Sequence, residues 1–275
     1  MQIEKSIAED KTITLKVTIP WKEVESEREK VVDSLVKQVT VPGFRKGTAP
    51  RNIAEKHLKK EVVQEEMLKN LLGKAYNEAV KKENLTPIIT PRIHVETFED
   101  GTDLVFNAEL CEAPDVALGN YKDPVKKITA KGKIVVPGKE TAKPNVDEIL
   151  DALVANASVV IPKVLYENEA NRLLSQMLDE LKSLGLSLDQ YLASRGKTAD
   201  DMRGEYEEKA KKDLALEFIL RKVADSENIT VEKEDLENVL KDVQDEAQKQ
   251  QLSANPYLLA SIIRQQKTLD FLTNL

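Results

Sequence analysis

The chain has 275 residues, of which 41% are hydrophobic, 32% are charged and only 4% are aromatic, and its formal net charge is -7. This length predicts one to three domains, and the composition is typical of a helix-rich protein with a thin aliphatic core. The acidic balance argues against a general nucleic-acid coat. A single cysteine, Cys111, excludes an intrachain disulfide and a thiolate metal cluster, and the two histidines are too few for a convincing zinc site.

No targeting segment is evident in the sequence. The opening residues, MQIEKSIAEDKTITL, lack the apolar run of a signal peptide. No stretch of the chain is apolar over the length that a membrane-spanning helix needs. We therefore expect a cytoplasmic protein that has no membrane partner.

The N-terminal part of the sequence predicts an α+β unit. Alternating apolar residues in TITLKVTIP predict a half-buried strand, and the helical spacing from Val24 to Val39 predicts a helix that ends near Pro42. A second, longer helix is expected to begin at about Pro50. RIHVETF and DLVFNAELC alternate again and predict a hairpin. Two helices would then pack on an antiparallel sheet.

The rest of the sequence predicts a connector followed only by helices. Residues 121–144 are rich in Lys, Pro and Gly, which favours an extended connector. Asn145 and Glu148 form a capping-box pattern at the start of the first helix beyond it. Narrow apolar faces favour long antiparallel helical hairpins over a compact globule. The predicted domains are 1–112, a connector at 113–144 and an elongated all-α domain at 145–275.

The sequence VPGFRKGTAP, at residues 41–50, predicts an exposed turn between the first two helices. Gly43 and Gly47 tolerate backbone angles that other residues resist, so the chain can turn sharply there. Pro42 and Pro50 stiffen the two ends of the turn and lower the entropy lost on docking. This combination favours a projecting loop.

The loop carries one aromatic and two basic side chains. Phe44 would supply apolar contact area, Arg45 a planar fork of donors, and Lys46 a point charge suited to phosphate. We interpret these residues as a docking tip. The alternative is that Phe44 folds back onto its own helices while the two cations are merely solvated. The loop lies in a basic segment that has one acidic residue, Glu55, among seven cations: Lys37, Arg45, Lys46, Arg51, Lys56, Lys59 and Lys60.

Other residues with chemical potential favour structural interpretations. Trp21 follows a strand and is expected to be a packing anchor, and His94 falls in an alternating strand. His57 has no Ser or Cys partner arranged for nucleophilic work. Cys111 ends a strand as a small hydrophobe. No phosphate-binding glycine loop is present in the sequence, so we expect no catalytic residue, no metal and no cofactor.

The stretch GFRKGTAP resembles the GFRxGxxP signature of bacterial trigger factor, a ribosome-associated chaperone, and lies between two helices as it does in that family. Two later stretches resemble the helical domain of the family: ILDALVANASVVIPKVLYENEANRLL and LGLSLDQYLASRGKTADDMRGEYEEKAKKDLALEFILRKVADSENITVEKEDLENVLKDV. The resemblance covers nearly the whole chain. It implies an α+β fold in which a ribosome-binding domain precedes an elongated helical-arm domain.

The resemblance also implies a site and partners. The ribosome-binding residues would be Gly43, Phe44, Arg45, Lys46 and Gly47. The partners would be the large-subunit protein at the tunnel exit with adjoining rRNA, and unfolded nascent polypeptides. Because the family self-associates off the ribosome, a homodimer is an open alternative. Clients would make weak apolar contacts, without ATP, with helical-domain side chains such as Leu165, Leu173, Met177, Leu214, Phe218 and Ile262.

The sequence departs from the family in one respect. Most trigger factors carry an FKBP-like prolyl isomerase domain between the connector and the helical domain. Only residues 121–144 lie at that place here, and Tyr121 is the one aromatic residue between 107 and 165. The sequence therefore predicts a chaperone that is not an enzyme. A ribosome-anchored scaffold, or an isomerase like the longer members, remains an alternative.

Overall fold

The computed structural model describes residues 1–45, 48–132, 145–242 and 253–275. The chain divides into two compact units. The first comprises Met1–Ala113 with Pro162–Leu165, and the second comprises Pro114–Ile161 with Tyr166–Leu275. The domain boundaries at 112 and 145 stay a prediction.

The first unit is built on an antiparallel sheet of four strands: β1 (Gln2–Ile7), β2 (Ile13–Ile19), β3 (Arg92–Thr97) and β4 (Leu104–Leu110). Their order in the sheet is β1-β2-β4-β3. In this sheet Val17 lies opposite Phe106, and both side chains are fully buried. The predicted strand and hairpin are confirmed as β2, β3 and β4, whereas β1 was not predicted.

Helices α1 (Trp21–Val36) and α3 (Lys60–Lys82) pack on one face of this sheet. Helix α1 ends before the predicted position near Pro42, because its last turn tightens: the N–H groups of residues 38 and 39 both donate to the Leu35 carbonyl. The predicted second helix is interrupted. It begins as the short helix α2 (Arg51–Ala54), continues as a 3-10 turn at residues 55–57, and resumes as α3 after two extended residues.

Trp21 begins α1, and its backbone N–H donates to Asp103 Oδ1 at 2.8 Å. Its indole ring is half-buried against the hydrophobic cluster of the first unit. The prediction that Trp21 is a packing anchor is therefore confirmed. Asp103 also ties the loop between β3 and β4 to the start of this helix.

The prediction of an extended connector is wrong for the residues that the structure describes. Strand β5 (Val116–Leu118) pairs with β6 (Ala157–Val159), so the second unit is not all-α, and helix α4 spans Lys122–Gly132. Val125 of α4 is fully buried, and the Tyr121 hydroxyl donates to Glu227 at 2.8 Å. Burial of the narrow apolar side of α4 stabilises this Lys-rich helix. Its composition alone does not favour a helix. The short apolar run at residues 134–136, which follows α4 in the sequence, lies outside the described residues.

The cap predicted at Asn145 is confirmed, and other helices of the second unit begin at similar caps. Side chains of Asn145, Ser187, Thr198 and Asn255 each accept from a backbone N–H in the first turn of the helix that follows. The helix bounds are Val146–Asn156 for α5, Lys163–Ser183 for α6, Leu188–Arg195 for α7, Ala199–Ser226 for α8, Lys233–Asp242 for α9 and Pro256–Asn274 for α10.

Two hydrophobic clusters hold these helices together. One joins α4, α5, α8 and α10 through residues that include Val125, Leu153, Ile219 and Leu272. The other lies farther along α6 around Met177, with contributions from α7 and α8. Across the described ranges, no helix combines the length and the apolar character that crossing a membrane requires.

Candidate functional site

The loop between α1 and α2 leaves the core of the first unit through a tight turn. Val41 is buried, and its carbonyl accepts from the Phe44 N–H at 3.1 Å. Pro42 occupies the second position of this four-residue turn, and Gly43 occupies the third with φ +85°. This pattern is that of a type II turn, which requires a positive φ at its third residue and therefore favours glycine.

The turn places an aromatic and a basic side chain in solvent. Phe44 is 40% exposed and lies outside the hydrophobic cluster of the unit. Arg45 is exposed and, among the residues that the structure describes, has no ion-pair partner. Lys46 and Gly47 lie outside the described residues. A free guanidinium beside an exposed ring can bind an anion and an apolar pocket together.

The loop is braced as it returns to the helices. The Thr48 N–H and hydroxyl both donate to the Arg45 carbonyl, at 3.0 Å and 2.6 Å. Pro50 caps α2 with φ -56°, an angle that its ring imposes in any case. Ala54, at the end of α2, is fully buried. Both ends of the loop are therefore fixed by buried residues.

The basic segment around the loop separates into paired and unpaired cations. Arg51 forms ion pairs with Glu29 and, at 3.0 Å, with Asp33, and Lys60 pairs with Asp100 at 3.2 Å. Lys37, Lys56 and Lys59 are exposed and, like Arg45, have no ion-pair partner within the described part of the chain. Among the described residues of this segment, the charge available to a partner thus lies on these four cations.

The paired carboxylates of α1 were not predicted from the sequence. Glu29 and Asp33 are four residues apart and so share one face of the helix. The acidic spacing was visible in the sequence, but its partner Arg51 comes 22 residues after Glu29. Only the packing of α2 against α1 shows that these groups meet.

The residues set aside as structural show no arrangement for nucleophilic chemistry in the described chain. Cys111 is buried, and burial together with the charge of Asp10 raises the pKa of its thiol to about 11. The thiol is therefore protonated near neutral pH, and a protonated thiol is a poor nucleophile. His57 lies exposed in the 3-10 turn, and His94 lies on the edge strand β3.

The apolar side chains expected to meet clients divide into three groups, of which the half-buried one comprises Leu173 and Phe218. Leu165, Met177 and Leu214 are buried, which corrects the expectation that clients contact them. Ile262 is 49% exposed on α10. The described chain exposes further large apolar side chains in the second unit, which the sequence pattern did not separate from the core: Leu178, Leu184, Leu186, Tyr257 and Leu258.

Comparisons with known proteins account for nearly the whole chain. Residues 1–153 match the family model described as bacterial trigger factor protein, and residues 138–274 match the model of its C-terminus. The trigger factor of Staphylococcus carnosus (strain TM300) is 40% identical over 108 residues, which is 39% of this chain and 24% of that protein. The trigger factor of Natranaerobius thermophilus is 39% identical over 110 residues, or 40% of this chain and 25% of that protein.

A solved structure shows the same fold. It was described for promiscuous substrate recognition in the folding and assembly activities of the trigger factor chaperone. It superposes with a TM-score of 0.65 at 14% identity, covering 100% of this chain and 99% of that chain. The sequence matches to the curated relatives, by contrast, span about a quarter of the length of those proteins.

Proposed function

The chain belongs to the bacterial trigger factor family, and from this membership we propose that it is an ATP-independent chaperone that shields nascent polypeptides at the ribosome exit tunnel. Its proposed partners are the large-subunit protein at the tunnel exit, the adjoining rRNA, and unfolded chains. The proposed place of action is the cytoplasm.

The proposed docking to the ribosome rests on one observation. The loop at residues 41–50 presents Phe44 and Arg45 to solvent, while Val41 and Ala54 anchor its two ends in the core. An aromatic ring and an arginine are the side chains most often found as interface hot spots. Fixed ends keep the loss of conformational entropy on binding small.

The surrounding charge fits a partner that contains RNA. Four exposed cations near the loop lack ion-pair partners in the described residues, although the whole chain is acidic. Contacts from such cations to phosphate release counterions, so they strengthen binding at low salt and make it sensitive to salt. A local basic region on an acidic protein favours one specific docking point over general RNA binding.

Co-sedimentation with ribosomes tests the docking proposal. We expect simultaneous replacement of Phe44, Arg45 and Lys46 by Ala to weaken binding roughly a thousandfold, because two hot spots of about 2 kcal/mol each would be lost. The melting temperature should hardly change, since replacing a surface turn alters the stability by no more than about 0.5 kcal/mol.

A matched control carries the same chemistry elsewhere on the first unit. Replacing Ile88, Lys81 and Lys82 by Ala removes one exposed apolar side chain and two exposed cations. This control should bind ribosomes as the unchanged chain does. Ribosome binding that survives in the loop variant, together with a collapsed melting temperature, would place Phe44 in the core and refute the docking proposal.

The chaperone activity needs a separate test from ribosome binding. The exposed apolar side chains of α6 and α10, including Leu178 and Ile262, offer the weak and dispersed contacts that allow release of clients without ATP. We expect the chain to suppress the aggregation of a chemically unfolded model protein. A chain that binds ribosomes but leaves aggregation unchanged would instead be a ribosome-anchored scaffold.

The proposal assigns no enzymatic activity to this chain. The two family models match ranges that overlap at residues 138–153, and the matches are to the N- and C-terminal parts of the family. In a protease-coupled assay with a prolyl peptide, we expect the isomerisation rate to equal the uncatalysed background. A rate above that background would favour the isomerase alternative.

A further inference from the structure

Arg51 lies where the loop at residues 41–50 returns to the helices, and its guanidinium pairs with two carboxylates of α1. Its Nη2 donates to Glu29 Oε2, and its Nη1 lies 3.0 Å from Asp33 Oδ1. The two carboxylates project from the same face of α1, one helical turn apart. The arginine fork therefore joins the first residue of α2 to α1 at two points.

The two neighbouring carboxylates disfavour the binding of an external anion to Arg51. One guanidinium faces two carboxylates, so the cluster carries a formal net charge that is negative. The hydrogen bond to Glu29 and the nearby charge of Asp33 raise the pKa of Arg51 above its ordinary value, as expected for a cation held by acids. Arg45 differs, because it has no ion-pair partner within the described ranges.

We propose that Arg51 is a positioning residue that holds the loop in its docking geometry and does not itself contact the ribosome. This inference rests on the proposed function. Val41 anchors the first end of the loop by burial, and the Arg51 fork fixes the second end to the same helix that the loop leaves. A loop fixed at both ends populates its binding-competent conformation more fully, which raises the apparent affinity.

The partial exposure of this cluster agrees with a role in positioning. The Arg51 side chain is 46% exposed, and exposed ion pairs contribute little to global stability. Its loss should therefore release the end of the loop without unfolding the unit. We expect the loss of Arg51 to lower the affinity for ribosomes, while the melting temperature should stay nearly constant.

The salt dependence of ribosome binding distinguishes positioning from direct contact. We expect Arg45→Ala to lower the slope of log affinity against log salt by about one, as the loss of one phosphate contact does. Arg51→Ala should weaken binding roughly three- to tenfold through a smaller competent fraction, while the slope stays that of the unchanged chain. A slope lowered by about one in Arg51→Ala would overturn the inference.

A charge exchange gives the stricter test. Arg51→Glu sets a third carboxylate beside Glu29 and Asp33, and should weaken binding more than Arg51→Ala does. Adding Glu29→Arg restores an ion pair across the same two helices and returns the net charge to that of the unchanged chain. If Arg51 only positions the loop, the exchanged protein should bind within about threefold of the unchanged chain, because the competent fraction is restored.

The outcomes separate this inference from the proposed function. An unchanged chain that fails to sediment with ribosomes would refute the proposed function, and the inference with it. Normal binding by the unchanged chain, together with exchanged protein that binds no better than Arg51→Glu, would show that the ribosome needs an arginine at 51 and would overturn the inference alone. A collapsed melting temperature in Arg51→Ala would also overturn it, because Arg51 would then stabilise the fold.

Discussion

Two phenylalanines of the first unit show how the same side chain serves two purposes. Phe106 is fully buried at the centre of the sheet, opposite Val17 on the neighbouring strand. Phe44 remains 40% exposed on a turn outside the hydrophobic cluster of the unit. Its apolar surface is therefore available to a partner, and binding would remove from water the area that folding leaves exposed.

Glu27 is a buried carboxylate that links α1 to α3. It is 6% exposed, and Lys74 donates to its two oxygens at 3.2 Å and 3.1 Å, while Lys30 donates to one of them at 3.4 Å. Burial alone would raise the pKa of this carboxyl, but the hydrogen bonds from Lys74 and Lys30 outweigh it and hold the pKa below its ordinary value of 4.5. The ionised form is thus the one that the fold favours.

The stability that Glu27 contributes should depend on pH. Because its pKa is lowered in the folded state, this contribution is present above pH 4.5 and is lost as the pH falls through the lower folded value. We expect Glu27→Gln to destabilise the chain by about 1 to 2 kcal/mol at pH 7, since Lys74 loses a charged acceptor. Thermal melts should show the difference from the unchanged chain shrinking as the pH falls below 4.5.

A neighbouring residue provides the control for this prediction. Glu25 lies on the same helix, is exposed, and has no ion-pair partner in the described residues. Glu25→Gln should leave the melting temperature unchanged, relative to the unchanged chain, at pH 7 and at pH 3. A difference between Glu27→Gln and the unchanged chain that is constant from pH 7 to pH 3 would show that shape, and not charge, sets the role of Glu27.

At the scale of the element, local sequence predicted those strands and helices whose signals are local. The alternation in β2 requires only that one face of a sheet be buried, and Ile13, Leu15, Val17 and Ile19 are all buried. Caps such as Thr198 act within one helical turn, so they mark helix starts wherever the helix lies. The exposed loop of the candidate site belongs to the same class, because proline and glycine specify turns locally.

The elements that the sequence did not predict depend on partners distant in the chain. Strand β1 is mostly exposed and exists because it pairs with β2, so its residues show no burial pattern. Helix α4 is stabilised by burial of Val125 among helices that come later in the chain. The ion pairs of Arg51 across α1 and α2 likewise required the packed structure. The sequence shows where the charged residues lie along the chain, but it does not show which of them form ion pairs.

The glycines of helices and turns allow a prediction at this scale. A Cβ at Gly73, within α3, would meet no atom within 4 Å, so Gly73→Ala should raise the stability by about 0.5 to 1 kcal/mol. A Cβ at Gly119, just after β5, would lie 2.3 Å from the carbonyl oxygen of Asn156. Because that atom is backbone and cannot move cheaply, Gly119→Ala should destabilise the chain by about 2 kcal/mol or more.

Denaturant unfolding of the two variants measures both effects with the same substitution. The midpoint should rise for Gly73→Ala and fall for Gly119→Ala. If both variants shifted in the same direction, the contrast between an open helical site and a close backbone approach would be incorrect.

At the scale of the whole molecule, the two units hold separate hydrophobic clusters. The buried residues of the first cluster all fall between Ile13 and Leu110, while those of the main cluster in the second unit begin at Tyr121 and extend to Leu272. Each unit thus buries its own apolar surface, which is the requirement for a part of a chain to fold alone. The proposed site lies entirely within the first unit.

A fragment of residues 1–113 should therefore fold and bind ribosomes by itself. It keeps all four strands of the sheet and the loop at 41–50, and it loses only the short stretch Pro162–Leu165 from its unit. That loss removes the buried side chains of Val164 and Leu165, whereas Asp10, which accepts from the Lys163 N–H at 2.6 Å, still accepts from Thr12. We expect a cooperative melt by circular dichroism and co-sedimentation with ribosomes within about threefold of the affinity of the full chain, since docking would use only this unit.

The fragment should not suppress aggregation, because the exposed apolar side chains of α6 and α10 are absent. A fragment that is unfolded, or that is folded but stays in the supernatant, would mean that docking requires the second unit, and the loop could not be the whole site.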